Sequence, residues 1–136
     1  MNVSKKGGEN MAKTTDNLEM NFKGETSEVG LYLAMSKQAE IEGHPDIAMY
    51  LRQVAMDEAW HAAWVAKIQG KIGDTKANLE KMIKGETGAC AGKADAARLA
   101  KDEGNDEAAK FFDTASKDED RHRAGLEGFL KKMNSH

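Results

Sequence analysis

Two short stretches of the chain, Glu58-Ala59-Trp60-His61 and Glu119-Asp120-Arg121-His122, each set a carboxylate and an imidazole three residues apart. No other Glu-x-x-His occurs. Upstream of each stands a Gly-Glu-Thr, at Gly24-Glu25-Thr26 and Gly85-Glu86-Thr87. Glu25 to Glu86, Glu58 to Glu119 and His61 to His122 are all steps of 61 residues. Residues three apart on a helix share a face, so a carboxylate oxygen and an imidazole nitrogen can reach one metal ion or an adjacent pair. Two such pairs, with one Glu from each of two further helices, make the ligand set of a di-iron or di-manganese carboxylate site. The carboxylates balance the charge of two divalent ions and can bridge them. The oxygen and nitrogen mix suits iron or manganese, with zinc as a substitute. Open coordination positions admit a small oxidant, peroxide or dioxygen.

A single Glu-x-x-His on a charged helix is ordinarily a solvated pair. Here the motif is duplicated, and each copy has a Glu at matching depth on a partner helix. Four carboxylates turned toward a core without a cation repel one another and are costly to bury. The repeat also shows away from the ligands, in Glu42-Gly43 against Glu103-Gly104 and in Asp57 against Asp118. It therefore reads as a duplication of one helical hairpin.

The elements that must carry these residues are helices. Leu31, Met35 and Ala39 recur at helical spacing, with Glu25, Glu28 and Tyr32 on a neighbouring stripe, which predicts a helix from about Leu18 to Glu42. Gly43 stops it, His44 is placed to be an N-cap, and Pro45 suits the first position of the next helix. That second helix is expected over 45–69, with Ile47, Leu51, Val54, Ala55 and Ala62 near the face of Glu58 and His61. Gly70 to Asp74 is a break, with Asp74 as N-cap of a third helix over 75–103. Gly85, Gly88 and Gly92 weaken that helix and leave room for close packing. Gly104-Asn105 repeats the Gly43-His44 turn, and a fourth helix is expected over 106–132 through Ala109, Phe112, Ala115 and Leu126. Glu25 and His61 both lie 18 residues from Gly43, as Glu86 and His122 do from Gly104. At a rise of 1.5 Å per residue each ligand is about 27 Å from its turn, so the ligands of a hairpin share one height. The expected fold is all-α, an antiparallel four-helix bundle over 18–136 made of two repeated hairpins. Residues 1–17 are polar and without periodicity, and read as a flexible arm.

Composition narrows the classes. With 32% charged and 40% hydrophobic residues, the 136-residue chain reads as one soluble globular domain. A net charge of -3 gives no general pull toward nucleic acid or an anionic membrane. No apolar run approaches the roughly 20 residues that span a bilayer, and no secretory h-region is visible. The lone Cys90 makes no internal disulfide, which fits a reducing cytoplasm, and one cysteine cannot build a rubredoxin or zinc-ribbon module.

Other residues offer weaker signals. Tyr32 lies seven residues after Glu25 and faces the same way, either to hydrogen-bond a ligand or simply to pack. Trp60, Trp64 and the eight methionines read as core or dimer surface. Cys90 reads as a buried thiol, His44 as a turn residue and His136 as a chain end. The charge runs near 101–110 and 117–123 read as solvated helix faces.

The stretch Gly24-Glu25-Thr26-Ser27-Glu28-Val29-Gly30-Leu31-Tyr32-Leu33-Ala34-Met35, with Asp57-Glu58-x-x-His61 and Asp118-Glu119-x-x-His122, resembles the ferritin-like domain of rubrerythrins. It is similar in particular to that of reverse rubrerythrins, in which a rubredoxin module precedes the bundle. The resemblance covers about residues 18–132. It implies a non-haem di-iron centre that reduces hydrogen peroxide to water, in a homodimer that sometimes exchanges helices between subunits. It also implies that Glu58 and Glu119 bridge, that Glu25 and Glu86 are terminal carboxylates, and that His61 and His122 are terminal imidazoles. Two departures stand out. Without a rubredoxin module in this stretch, electrons come from an external donor such as a rubredoxin. The additional carboxylate that rubrerythrins carry three residues after the third-helix Glu is here Ala89, whereas the matching place on the first helix is Glu28. By resemblance that carboxylate competes with a histidine for one iron, which transposes here to Glu28 paired with His122. The alternative for Glu28 is a carboxylate beside the ligands or facing solvent.

The reading that follows is a di-iron peroxidase acting in oxidative-stress defence, with Glu28 and Tyr32 as candidate catalytic groups. The alternative is a ferritin-like protein that oxidises and buffers iron. A third reading, a structural bundle holding zinc, remains beside them. Fold alone does not choose among these.

Overall fold

The computed structural model describes residues 4–135, with side chains from Lys13 onward. Four helices make up the described residues: α1 (Ser4–Ile41), α2 (Pro45–Ile68), α3 (Thr75–Asp102) and α4 (Asp106–Asn134). Among the described residues there is no strand. The chain divides into two compact units, Met1–Ile72 and Gly73–His136, each a helical hairpin. In the first α1 packs on α2, and in the second α3 packs on α4. The all-α fold and the duplicated hairpin are as the sequence implies.

The turns explain the boundaries. Gly43, Gly70 and Gly104 have φ of 83°, 69° and 76°, the left-handed region in which only glycine sits without a steric penalty. Each closes its helix with the same pair of hydrogen bonds. Gly43 N donates to Glu40 O (3.1 Å) and His44 N to Ala39 O (2.8 Å). Gly104 N donates to Lys101 O (3.0 Å) and Asn105 N to Ala100 O (2.8 Å). Ala39 and Ala100, 61 residues apart, are both buried at this cap. Asp74 caps α3, its carboxylate accepting from Ala77 N at 2.8 Å, and Asn105 caps α4 by accepting from Ala108 N at 3.1 Å. His44 occupies the N-cap position of α2 but makes no capping bond; the ring carries no oxygen acceptor at the reach of Asn105, and Pro45 takes over the start of the helix.

Three expectations are corrected. First, the arm expected over 1–17 is helical from Ser4 on, so α1 begins well before Leu18. Residues 1–3 lie outside the described residues. No proline interrupts that stretch, and extending an existing helix avoids the cost of nucleating one. The described side chains 13–17 are all exposed. Second, the apolar stripe through Leu31 and Met35, and Ile47 at the start of α2, are exposed. The hairpin seam is instead lined by small residues. Ala48, Ala55, Ala62 and Ala66 of α2 and Ser36 and Ala39 of α1 are buried, which lets the two backbones approach and leaves the larger apolar side chains at the flanks. Third, Gly85, Gly88 and Gly92 are not close-approach positions, because a Cβ added to any of them meets nothing within 4 Å.

One buried hydroxyl ties each hairpin together. Ser36 Oγ on α1 donates to Ala48 O on α2 at 2.7 Å and accepts from Arg52 Nε at 3.1 Å. In the second hairpin Ser116 Oγ on α4 donates to Cys90 O on α3 at 2.9 Å, and Cys90 Sγ lies 3.6 Å from the same hydroxyl. Cys90 is thus a half-buried thiol that serves packing. No helix among the described residues is long and apolar enough to cross a membrane.

Candidate metal centre

The helices bring the repeated ligands together within each hairpin. Glu25 comes from α1, and Glu58 and His61 from one face of α2, so the triad needs both helices of the pair. One ligand atom from each lies within 4.8 Å of the others. His61 Nδ1 is 3.4 Å from Glu25 Oε2 and 3.8 Å from Glu58 Oε2. The second hairpin repeats this with Glu86 from α3 and Glu119 and His122 from α4. There His122 Nδ1 is 3.6 Å from Glu86 Oε2 and 3.5 Å from Glu119 Oε2. These distances are too long or too bent for firm hydrogen bonds, yet suit a cation drawing the donors together.

Burial sharpens the point. The four carboxylates are only 16–19% exposed, whereas His61 and His122 are 56% and 53% exposed. The acidic groups therefore sit between the helices and the imidazoles at the rim. Glu25 Oε2 and Glu86 Oε2 are buried with no hydrogen-bond partner, at equivalent places in the repeat. A buried carboxylate oxygen without a donor is costly, and a metal ion removes that cost. The same orphaned atom in both hairpins, each facing an imidazole nitrogen, is the observation that fits a metal. Two oxygens and one nitrogen per triad suit a divalent first-row ion.

The second triad shows its electrostatic state plainly. The hydrogen bond shared with Glu119 pushes Glu86 above the usual carboxylate range, and burial and the charge of Glu119 add to this against the pull of His122. Glu119 is held at about 2, by the bond from Glu86 first and by that from Lys93 next. In the first hairpin, the hydrogen bond shared with Glu58 raises Glu28, helped by burial and by repulsion from Glu58, while His61 opposes it.

Glu28 is exposed, and the groups of its own hairpin that act on its carboxyl are Glu58 and His61. The expected partner His122 belongs to the other unit. With Met20, Asn21, Gly24 and Glu25, Glu28 lines a depression along α1. Tyr32 is half-buried and makes no hydrogen bond to a ligand of its hairpin. One neighbour of the ligands escaped the reading of the sequence: Lys93, whose Nζ lies 2.7 Å from Glu119 Oε1. The signal was present, because Lys93 stands seven residues after Glu86 and is the repeat counterpart of Tyr32. A cation next to a metal ligand is simply not what ligand spacing prompts one to seek.

Comparison with known proteins agrees with this geometry. The rubrerythrin family's sequence pattern matches residues 16–130, which contain all six candidate ligands. An uncharacterized protein of Methanocaldococcus jannaschii is 49% identical over 114 residues, covering 83% of this chain and 81% of that one. Reverse rubrerythrin-1 of Clostridium acetobutylicum is 40% identical over 119 residues, covering 86% of this chain and 66% of its own length. The family's domain is a ferritin-like helical bundle, and the family binds a di-iron centre. The four helices, the duplicated Glu, Glu and His triads and the match across both hairpins lead to one conclusion: this chain belongs to the rubrerythrin family.

Proposed function

We propose that the chain is a non-haem di-iron peroxidase that reduces hydrogen peroxide to water with electrons from an external donor such as a rubredoxin. The observation that carries this reading is the pair of orphaned carboxylate oxygens, Glu25 Oε2 and Glu86 Oε2, each facing an imidazole nitrogen of its triad. Glu25, Glu58, His61, Glu86, Glu119 and His122 would together hold the two irons. Bound iron supplies the two electrons that peroxide reduction consumes, and the external donor restores them.

The chain's own residues prepare the rest. The carboxylates keep two cations in place and match the hard ferric ion after oxidation. Peroxide reduction takes up two protons for two waters. Glu28, its carboxyl raised by Glu58, is suited to hold a proton beside the first triad. We place it as the group that delivers that proton or joins the ligand set on oxidation. Family membership and the reverse rubrerythrin relative support an oxidoreductase of this kind.

The test is direct. Protein purified without oxygen is analysed for metal, loaded with ferrous iron and mixed with one equivalent of peroxide. Rapid oxidation followed spectroscopically is expected; a reduced, loaded protein that peroxide leaves unchanged sinks the proposal. Glu28→Ala should keep both irons at saturating metal yet react much more slowly with peroxide. Single-turnover kinetics unchanged in that variant would remove Glu28 from the mechanism.

We also propose a homodimer. Met49, Trp60 and Trp64 are 68–70% exposed, more apolar surface than a monomer ordinarily leaves in water. Sedimentation at micromolar concentration should show a dimer, and a monomer there would refute it.

A further inference from the structure

Helix α2 presents three faces, and its hairpin and its ligands account for two of them. Ala48, Ala55, Ala62 and Ala66 are buried toward α1, and Leu51, Val54 and Glu58 are partly buried on the face of the candidate ligands. A third stripe, Met49, Met56, Trp60 and Trp64, is 54–70% exposed. Met49 and Met56 stand nine and two residues before Glu58, and Trp60 stands two after it. At about 3.6 residues per turn, all three lie about half a turn round the helix from that ligand. Trp64 follows one turn after Trp60. The repeat supplies an internal control. The same places on α4 are Lys110, Lys117, Arg121 and Gly125. A hairpin of this pattern therefore closes with a polar outer face, and closing it is not what the large apolar side chains of α2 are for.

We propose that this stripe is the surface on which two copies of the chain meet, α2 against α2 in antiparallel sense, with the two-fold axis beside Met56. The charges at the ends of the stripe select a second copy as the occupant. Asp46 stands five full turns before Trp64, and Lys67 stands five full turns after Met49, so both lie in line with the stripe. They are exposed, in the first and last turns of α2. A helix that is acidic at one end, apolar between and basic at the other complements itself when reversed. Laid antiparallel, Asp46 meets the partner's Lys67 at both ends, Met49 meets the partner's Trp64, and Met56 lies beside the partner's Met56. Laid parallel, the same helices set Asp46 on Asp46 and Lys67 on Lys67. The four apolar side chains offer roughly 500 Å2 along about 22 Å of helix. That is more than half of the about 800 Å2 that each partner gives a standard interface, and the end charges form its polar rim. The inference deepens the homodimer reading by naming its surface and sense, and it rests on neither metal nor peroxide.

The experiment reads the oligomeric state and the fluorescence of the full chain. Trp60 and Trp64 are its only tryptophans, so their emission reports on this stripe alone. Sedimentation equilibrium should give a dimer at micromolar concentration, and dilution to monomer should shift the emission to longer wavelength. Met56→Lys and Trp64→Lys should each raise the dimer Kd about thirtyfold or more, with helicity unchanged by circular dichroism. Lys110→Glu, at the place on α4 that matches Met49, should leave the Kd alone. Asp46→Lys and Lys67→Asp should each weaken the dimer, and the two together should restore it. With Cys90 replaced by alanine, Met56→Cys should crosslink into a disulfide dimer under mild oxidation. Met49→Cys should not, because its two copies lie about 22 Å apart along the helices. A dimer that withstands both lysine substitutions, a doubly reversed pair no stronger than its singles, or crosslinking through Met49→Cys and not Met56→Cys overturns the inference and leaves the homodimer standing. A monomer overturns both readings: short-wavelength emission then means that the chain covers the stripe itself, and long-wavelength emission that the stripe is left for another kind of partner.

Discussion

Replacing Glu86 with alanine should push the metal-free and the metal-loaded protein in opposite directions. Glu86 Oε2 is buried without a hydrogen-bond partner, and its neighbour Glu119 disfavours the ionised form. In metal-free protein near neutral pH, removal of the side chain takes away an unfavourable group. It strands no donor, because Lys93 pairs with Glu119 and not with Glu86. The metal-free Glu86→Ala protein should therefore melt at or above the parent's temperature. The loaded protein should lose one of its two ions, since Glu86 is one of the six candidate ligands. At free metal about 100 times the dissociation constant, each site adds about 2.7 kcal/mol, so two sites add about 5.4 kcal/mol. At about 4 °C per kcal/mol for a chain of this size, the variant's metal-induced rise in melting temperature should be smaller by about 10 °C. Differential scanning calorimetry with and without metal, alongside metal analysis showing one ion instead of two, reads both effects. Should the metal-free variant be destabilised as much as the loaded one, Glu86 is a structural residue and the orphaned oxygen has been misread. An undiminished metal-induced rise would mean that Glu86 is not a ligand.

Further outcomes follow from the same geometry. The raised Glu86 makes the metal-free fold bind a proton more tightly than the unfolded chain does. Its contribution is therefore full below the unfolded value of 4.5 and is lost as pH rises through the folded value. Glu119 works in the opposite sense: its contribution is present above 4.5 and is lost as pH falls from there through about 2. Melting of the metal-free protein should thus improve as pH is lowered from neutrality toward 4.5 and worsen below it. Metal should abolish the first branch, and a monotonic profile without metal would contradict this. Gly104→Ala, at φ 76°, should cost about 1–2 kcal/mol. Gly88→Ala, in the interior of α3 with open space around it, should gain up to about 1 kcal/mol, both by chemical denaturation. Asn105→Ala should cost about 1 kcal/mol through its lost cap, whereas His44→Ala should cost far less, since His44 makes no such bond.

Much of this protein was determined by the sequence alone, because the signals are local. The helices end where Gly43, Gly70 and Gly104 permit a left-handed residue, and Asp74 and Asn105 supply the acceptors that start α3 and α4. The six candidate ligands follow from helical period and a constant 61-residue step, since a residue's face and height depend only on its place along its own helix. Tertiary structure decided what depends on the rotation and closeness of two helices together. Small residues such as Ser36, Ala48 and Ala55 won the seam over Leu31, Met35 and Ile47, because closer backbones bury more of the helix than large side chains at the flanks. Packing α3 on α4 put Lys93 on Glu119, and packing α1 on α2 put Glu28 beside Glu58. Each of these pairings joins residues at least 26 apart on different helices, and no period within one helix encodes such a contact. The duplication is therefore legible in the chain, whereas the contact of Lys93 with Glu119 emerges only once the second hairpin has closed.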